Sequence, residues 1–283
     1  MRFGVTIITT DLVWRVDELA PEVEARGFTS LYLPEHTHIP TSRLTPPATG
    51  EDELAEHYKR MLDPFVALAA ASSVTTTLRL GTGIALIAQR EPIVTAKAIA
   101  TLDLLSNGRV ELGIGSGWNV DEMQHHGVDP ARRRDVVREH VLAMRALWTD
   151  EEAEFHGEFV DFSPSWLWPK PVQPGGPPVL MGGAPGPKLF AAIAEFCDGW
   201  LPFGGAGVRE ALPALRDACE RVGRDSAALR VIPFGTLYDA DKVNYYETLG
   251  IEEIVLRVPA GARDPVLAEL DRLAGLIASD PSP

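Results

Sequence analysis

Residues 78–114 read LRLGTGIALIAQREPIVTAKAIATLDLLSNGRVELGI, and this stretch contains two strand-like runs separated by a helix-like run. An apolar, β-branched run from Leu78 to Leu86 predicts a strand, and the longer apolar run from Ile93 to Leu105 predicts a helix. A second short run, from Val110 to Ile114, predicts the next strand. Two strands joined through a helix are parallel and lie in one sheet, so the stretch predicts an α/β fold.

The same alternation continues on both sides of this stretch. Further strands are predicted at Phe3 to Ile8, Ser30 to Pro34, Val179 to Met181, Gly199 to Pro202, Leu229 to Phe234 and Glu253 to Val258. Helices are predicted at Val13 to Arg26, Pro187 to Glu195, Val208 to Val222, Lys242 to Leu249 and Pro265 to Ile277. Eight strand–helix units predict a (β/α)8 TIM barrel that forms one domain, residues 1–283. An open doubly wound sheet is the alternative, but residues 9–12, after the first strand, lack a Gly-x-Gly-x-x-Gly fingerprint.

Two segments interrupt the alternation. Residues 37–60 follow the second strand and are rich in Pro, Thr and charged side chains, which predicts a lid over the strand ends; a floppy surface insertion is the alternative. Residues 150–178 contain EFHGEFVDF, whose alternation around His156 and Gly157 predicts a short hairpin. The predicted fold is therefore a TIM barrel with insertions after strands 2 and 4.

Composition limits the classes of function. The formal net charge of −14 argues against a nucleic-acid-binding protein, which needs a basic surface. No apolar run approaches the length of a membrane span and the first residues lack a cleavage site, so we expect a cytoplasmic protein. Cys197 and Cys219 are too few for a disulfide framework, and we expect buried thiols. The adjacent pair His125 and His126 has poor spacing for metal ligands, and we predict no metal site.

The second predicted strand ends in Leu33-Pro34-Glu35-His36. In a barrel of this kind the active site lies where the strands end. A carboxylate beside an imidazole is able to carry acid–base chemistry, because histidine titrates near neutral pH. Glu35 and His36 are therefore the candidate catalytic residues. The alternative is a solvated histidine beside a local salt bridge of Glu35.

Glycines mark the ends of three further strands. Gly81 and Gly83 in the third strand predict a bulge or a close approach of another group to the backbone. The runs GIGSGWN, residues 113–119, and MGGAPGPK, residues 181–188, each precede a helical pattern and permit backbone N–H groups to face an anion. Glu122 either positions the first of these loops or is solvated at the surface, and solvation is the favoured role.

The chain resembles the luciferase-like monooxygenase family, through segments that occur in order. These are LYLPEH, LRLGTGI, LDLLSNGRVELGIGSGWNVDEM, LWTDEEAEFHGEFVDF, PKPVQPGGPPVLMGG and CDGWLPF. The resemblance runs from about residue 2 to residue 258 and is most specific between Ser106 and Glu122. More narrowly, the chain is similar to the branch that depends on coenzyme F420, an 8-hydroxy-5-deazaflavin.

This resemblance implies a barrel with a flavin-type ring at its strand ends. It implies a cis peptide bond at Gly83-Ile84 that backs the ring, a place for His36 and Glu35 near the reacting centre, and pairing of two barrels as a homodimer. The cofactor-binding residues it implies are Gly83, Ile84, Gly115, Ser116, Gly117 and Trp118 around the ring and Gly182 and Gly183 at the phosphate.

The sequence also departs from the family pattern. Members that use flavin mononucleotide (FMN) often place Arg in the strand-four glycine run and Ser or Thr after strand five, where this chain has Ser116 and Ala184-Pro185. The resemblance therefore implies an oxidoreductase that transfers a hydride between coenzyme F420 and a small organic substrate. An FMN-dependent monooxygenase and a flavin-binding barrel without turnover are the alternatives; an unrelated barrel lyase or isomerase is a weaker one.

Overall fold

The structure is a computed structural model of the chain, in which residues 1–46 and 53–279 are described. The strands are β1 (Arg2–Thr6), β2 (Ser30–Leu33), β3 (Arg79–Thr82), β4 (Val110–Ile114), β5 (Ala153–His156), β6 (Asp161–Ser165), β7 (Val179–Gly182), β8 (Gly199–Leu201), β9 (Arg230–Val231), β10 (Phe234–Thr236) and β11 (Glu253–Arg257). The α-helices are α1 (Val16–Ala25), α2 (Pro64–Ser72), α3 (Pro92–Leu105), α4 (Val120–His125), α5 (Arg133–Thr149), α6 (Pro187–Phe196), α7 (Val208–Arg221), α8 (Ala240–Thr248) and α9 (Arg263–Ser279). Short 3-10 helices lie at Glu56–Arg60, Ile87–Gln89 and Ser226–Ala228.

Within the described residues, nine strands form one parallel sheet in the order β10-β11-β1-β2-β3-β4-β7-β8-β9. The two end strands, β9 and β10, are separated in the chain only by Ile232 and Pro233. The Ile232 N–H donates to the carbonyl of Trp200 on β8 (2.9 Å), and the Pro233 carbonyl accepts from the N–H of Val255 on β11 (2.9 Å). The sheet thus curls until its two ends share one segment, which confirms the predicted α/β fold with parallel strands.

Side chains on each strand alternate between two apolar clusters. On β2, Leu31 and Leu33 belong to the large core that the helices cover, whereas Tyr32 belongs to a smaller cluster. Because the helices lie on the other face, the smaller cluster fills the inside of the curl. Its buried members are Tyr32, Leu180, Leu201, Ile232, Phe234 and Val255, and Ile84 packs against them.

Buried charges close the amino-terminal end of this interior. Arg79 and Arg230 each bind both Glu111 and Glu253, at 2.6 to 2.9 Å. The hydroxyl of Tyr32 donates to Glu111. Burial and the neighbouring Glu111 carboxylate raise the pKa of Tyr32, so the phenol remains a donor. Every charge in this group has a partner, so the network holds the strands together and offers no free group for chemistry.

The predicted boundaries are wrong at two strands. The strand predicted from Leu78 to Leu86 ends at Thr82, and the chain bulges at Gly83-Ile84, whose peptide bond is cis, as the resemblance implied. The strand predicted from Leu229 to Phe234 is split into β9 and β10, because Pro233 has no N–H to donate to a neighbouring strand.

The predicted hairpin is confirmed, since β5 and β6 pair antiparallel with His156 opposite Asp161. Of the segment 37–60, for which a lid is predicted, residues 47–52 lie outside the described residues. Both cysteines are buried free thiols, as expected. Among the residues described, no helix is long and apolar enough to cross a membrane.

Candidate active site

The predicted site residues follow four strands that are neighbours in the sheet. His36 follows β2, Gly83-Ile84 follows β3, residues 115–118 follow β4, and residues 182–183 end β7. Because β2, β3, β4 and β7 are parallel and adjacent, these four connections lie side by side at the carboxyl edge of the sheet.

His36 is held from both sides of its imidazole ring. It is 8% exposed, and its Nδ1 lies 2.6 Å from Oε2 of Glu122. The indole N–H of Trp118 donates to Nε2 at 3.2 Å. A neutral imidazole carries one proton, so an acceptor at Nε2 requires the proton on Nδ1, where it donates to Glu122. The contacts therefore select one tautomer, with the lone pair on Nε2.

Glu122 is not solvated, and the favoured prediction for it was wrong. Its side chain is 0% exposed, and its Oε1 accepts the backbone N–H of Thr37 at 3.0 Å. Asn119 caps α4, and its Oδ1 accepts the N–H of Glu122 at 3.4 Å. Asn119 and Glu122 have the three-residue spacing of a helix-capping pair, which marks a helix start in sequence. The long-range partner, His36, leaves no signal in the sequence.

Glu35 lies beside His36 in sequence but its carboxylate faces a different connection. Its Oε2 accepts the N–H of Leu86 at 2.7 Å, and its Oε1 accepts Nε of Arg90 at 2.7 Å. Arg90 also binds Asp63, at 2.6 Å. Successive residues of an extended segment point to opposite sides, which separates the two neighbours. Glu35 therefore fixes the connection after β3, which favours a positioning role over acid–base work.

Gly115 after β4 and Gly182 at the end of β7 allow the side chain of Ile84 to lie against their backbone. A Cβ added at Gly115 would lie 1.9 Å from Cδ1 of Ile84, and one added at Gly182 would lie 2.8 Å from its Cγ2. On β4, Gly113 also faces inward, where a Cβ would lie 2.0 Å from the carbonyl oxygen of Thr82. The alternating glycines thus permit close packing inside the curl. At the strand ends they leave the side chain of Ile84 as an apolar surface.

Several buried polar atoms near these strand ends have no hydrogen-bond partner among the described residues. They are both amide atoms of Gln89, Nδ2 of Asn119 and Oγ1 of Thr236. Nε2 of Gln89 lies 3.6 Å from the position of a Cβ at Gly117, whose φ of +76° suits glycine. Buried polar groups in proteins are almost always paired, so a bound molecule with donors and acceptors would complete this set.

The carboxyl end of β7 leads directly into a helix. The N–H of Gly183 donates to the carbonyl of Leu201 at 3.4 Å, and its carbonyl accepts the indole N–H of Trp200 at 2.9 Å. Helix α6 begins at Pro187, and Lys188 is exposed beside it. A helix start with an adjacent lysine suits an anionic group.

The described part of the predicted lid packs over the site. The ring of Tyr58 lies 5.4 Å from that of His36 and 6.1 Å from that of Trp118. The carboxylate of Asp121 accepts the N–H (3.0 Å) and the hydroxyl (2.6 Å) of Thr45. These hydrogen bonds hold the pKa of Asp121 at about 2, below its usual 3.8. The carboxylate is thus charged at neutral pH and anchors the lid to α4.

Sequence reasoning missed Glu122, Gln89 and Tyr58 as residues of this site. Only Glu122 had a local signal, its spacing from Asn119; the other two reach the site through the fold. No group of three or more His, Cys, Asp or Glu residues in the described ranges is arranged to hold a metal ion.

Comparison with known proteins identifies the family of the chain. The family model for luciferase-like monooxygenases matches residues 3–259. An uncharacterized protein of Mycobacterium tuberculosis is 44% identical over 281 residues, which cover 98% of this chain and 99% of that protein. The F420-dependent glucose-6-phosphate dehydrogenase of Kineococcus radiotolerans is 32% identical over 190 residues, which cover 64% of this chain and 56% of that enzyme.

A solved structure has the same fold. An F420-dependent secondary alcohol dehydrogenase, in complex with an F420-acetone adduct, superposes with a TM-score of 0.76 over 100% of both chains, at 18% identity. The curled parallel sheet with a candidate site at its carboxyl edge thus defines an α/β class of barrel-like proteins. Within that class, the chain belongs to the luciferase-like monooxygenase family, which confirms the resemblance.

Proposed function

We propose that the protein is an oxidoreductase that transfers a hydride between coenzyme F420 and a small organic substrate. The observation that carries the proposal is His36, whose Nδ1 is held by the buried carboxylate of Glu122 and whose Nε2 keeps its lone pair. The names of two similar proteins, both F420-dependent dehydrogenases, support the choice of cofactor.

The residues at the strand ends fit a flat, polar ring. Ile84 offers an apolar surface, Gly115 and Gly182 let its side chain lie close against their backbone, and Gln89 offers an unpaired amide. When bound, the deazaflavin supplies the redox chemistry by taking up or giving a hydride. The residues proposed to hold it are Gly83, Ile84, Gly115, Ser116, Gly117, Trp118, Gly182 and Gly183.

His36 is proposed to carry the acid–base step. A substrate hydroxyl that replaces the indole N–H of Trp118 would donate to the lone pair on Nε2. As the hydroxyl carbon loses its hydride, Nε2 takes the proton, and the Glu122 carboxylate stabilises the charged imidazole through Nδ1. In the reverse direction the same imidazolium donates its Nε2 proton to a carbonyl oxygen.

The sequence predicts Glu35 as a catalytic residue together with His36, but in this proposal Glu35 has a positioning role. Both of its oxygens accept hydrogen bonds, from Arg90 and from the N–H of Leu86. A carboxylate with these partners holds the connection after β3. His36 therefore needs no proton from Glu35.

FMN is the alternative cofactor, in a luciferase-like monooxygenase that uses oxygen. Ser116 and Ala184-Pro185 stand where FMN-dependent members often have Arg and Ser or Thr, so charged and hydroxyl partners for the FMN phosphate are missing at these positions. This difference favours the deazaflavin.

Fluorescence titrations with coenzyme F420 and with FMN, side by side, test the proposal. We expect tight binding of coenzyme F420 and its reduction in the presence of a panel of secondary alcohols. Binding of FMN alone would replace the proposal by the monooxygenase, and binding of either cofactor without turnover on any substrate would favour a flavin-binding barrel.

His36→Ala tests the acid–base assignment. Loss of a general acid or base costs about 10²-fold or more in rate, and we expect turnover to fall by that factor while coenzyme F420 still binds. Turnover equal to that of the wild type would remove His36 from the mechanism.

The remaining parts of the proposal concern the whole chain. Closure of the sheet through Ile232 and Pro233 supports a complete (β/α)8 barrel with insertions after strands 2 and 4, formed by residues 1–283 as one domain. Action in the cytoplasm on a small-molecule substrate, as a homodimer and without nucleic acid, stays a prediction.

A further inference from the structure

We propose that Thr37 is a positioning residue that couples the protonation of His126 to the hold of Glu122 on His36. The inference rests on the function proposed above, because it concerns the group that takes up the substrate proton. It makes the acid–base step sensitive to pH through a histidine that does not touch the reacting centre.

The geometry places one hydroxyl between the buried pair and solvent. Oγ1 of Thr37 lies 2.7 Å from Nε2 of His126, 3.0 Å from Nδ1 of His38 and 3.3 Å from Oε1 of Glu122. Glu122 is buried, whereas Thr37 and His126 are exposed. The hydroxyl has one proton to donate and two lone pairs, so it donates to only one of these three groups at a time.

Neutral His126 determines where that proton points. The His126 side chain is exposed over part of its surface, but its contacts with neighbouring groups partly desolvate the imidazole. This desolvation, and next the neighbouring His38, lower the pKa of His126, so at neutral pH its Nε2 accepts the proton of the Thr37 hydroxyl. Glu122 then receives two donors, Nδ1–H of His36 and the backbone N–H of Thr37. The carboxylate is left free to stabilise a positive charge on His36.

Protonated His126 reverses the hydrogen bond. Its Nε2–H donates to the Thr37 hydroxyl, which turns its own proton to Oε1 of Glu122. A third donor, with a cation behind it, lowers the electron density that Glu122 offers to Nδ1 of His36. No bond to carbon changes, and the one proton taken up from water stays on His126.

Other charged groups also act on His126. His38 and Arg90 lower its pKa, and Glu122 and Glu35 raise it. His125 stacks on His38 and donates to or accepts from its Nε2 at 2.9 Å. Of the side chains that contact the Thr37 hydroxyl, only His126 lies as close as 2.7 Å in the described residues, which is why the coupling is assigned to it.

NMR of the full-length protein labelled with 15N-histidine, without cofactor, tests the proposal. In the wild type we expect the Nδ1–H signal of His36 to shift with the same midpoint as the titration of His126. Thr37→Val keeps the backbone N–H and removes the hydroxyl, so His126 still titrates but the response of His36 is lost. Thr37→Ser restores the response.

His125→Gln is the matched control, because His125 is exposed near the cluster but does not touch Thr37; we expect the response to survive. An undiminished response in Thr37→Val, or none in the wild type, would overturn the proposal. The NMR experiment contains no cofactor. A negative result would therefore contradict the coupling through Thr37 without bearing on the binding of coenzyme F420. If turnover is obtained, its decrease at acidic pH should be smaller in Thr37→Val than in the wild type. Thr37→Ser should show the decrease of the wild type.

Discussion

At the scale of the residue, two buried glutamates next to one histidine have different roles because of what faces them. Glu122 receives the imidazole Nδ1–H and a backbone N–H, both neutral donors. Glu35 receives a guanidinium and a backbone N–H. A carboxylate that already pairs with a cation stabilises a second positive charge only weakly. A carboxylate that accepts hydrogen bonds from neutral donors stabilises an imidazolium more strongly. The position of Arg90, more than the distance to His36, therefore decides which glutamate is suited to the proposed acid–base step.

Glu122→Gln tests this difference. Both oxygens of Glu122 accept hydrogen bonds, but an amide has one acceptor oxygen, so either His36 or the N–H of Thr37 loses its partner. We expect turnover to fall by about 10²-fold, because the imidazolium loses its counter-charge. Initial rates with coenzyme F420 measure this, with the exposed Glu154→Gln as the control. A rate equal to that of the wild type would mean that Glu122 packs against the imidazole ring of His36 but does not stabilise its positive charge.

Gly113 on β4 and Gly115 just after it should respond differently to an added methyl group. In Gly113→Ala the Cβ meets the backbone carbonyl of Thr82, which cannot move aside; overpacking of this kind costs about 1–3 kcal/mol of unfolding free energy. In Gly115→Ala the Cβ meets Cδ1 of Ile84, the mobile end of a side chain. We therefore expect Gly115→Ala to fold with a smaller loss of stability but to bind coenzyme F420 more weakly.

Urea denaturation and fluorescence titration separate the two effects, and Gly275→Ala on α9 is the control, since its Cβ meets nothing within 4 Å. Equal loss of stability in Gly113→Ala and Gly115→Ala would contradict the distinction between backbone and side-chain neighbours.

The sequence predicted these residues unevenly, for physical reasons. The alternation of Gly113 and Gly115 is a local pattern that predicted backbone N–H groups facing an anion, whereas in the structure both glycines pack closely against the neighbouring strand segment. The partners Ile84, Thr82 and Arg90 come from the strand–helix unit of β3, and the pairing of β3 with β2 and β4 brings them near. The pairing of His36 with Glu122 spans 86 residues and has no periodic signal.

Among the helices, α4 carries the carboxylate that ties the start of the segment predicted as a lid to the rest of the fold. Asp121 on α4 binds Thr45, and the pKa of Asp121 is lowered to about 2 by the hydroxyl and N–H of that residue. Because the pKa in the anchored state lies below its usual 3.8, the anchoring is complete above that value and is lost as the pH falls towards 2.

Cleavage at Leu44, which is 90% exposed, measures the anchoring. In the wild type we expect pepsin cleavage there to rise as the pH falls from about 4 to about 2, because protonated Asp121 releases the lid. In Asp121→Ala, cleavage should already be fast at the upper end of this range. Asp217→Ala, on α7, is the control. Slow cleavage of Asp121→Ala across the range would show that other contacts hold the lid.

Elements of this chain were easier to predict than their ends. Long apolar helices such as α3 and the short strand β4 were found within one residue of their bounds, since their periodicity is local. The end of β3 was not, because the bulge at Gly83-Ile84 interrupts an apolar run that reads as one strand. Pro233 indicates the break between β9 and β10. The apolar residues around it nevertheless favoured the prediction of a single strand.

On the outside of the molecule, the face formed by α2 and α3 exposes large apolar side chains. Helix α2, PFVALAAAS, is apolar on every side, a pattern typical of helices that are covered on both faces. Val66 on α2 is 72% exposed and Val94 on the neighbouring α3 is 67% exposed. Exposed apolar surfaces of this kind mark association sites. The face formed by α2 and α3 therefore supports the predicted homodimer.

The double variant Val66→Asp, Val94→Asp tests this interface. If two copies pair through the face of α2 and α3, burial of the charges in a symmetric contact is costly, and each substitution occurs twice in the dimer. We expect the wild type to sediment as a dimer and the double variant as a monomer that keeps the circular dichroism of the fold. Val222→Asp, at the end of α7 and 56% exposed, introduces the same charge on another face and should leave the dimer intact. A dimer that persists in the double variant would place the contact elsewhere, and a monomeric wild type would remove the homodimer from the proposal.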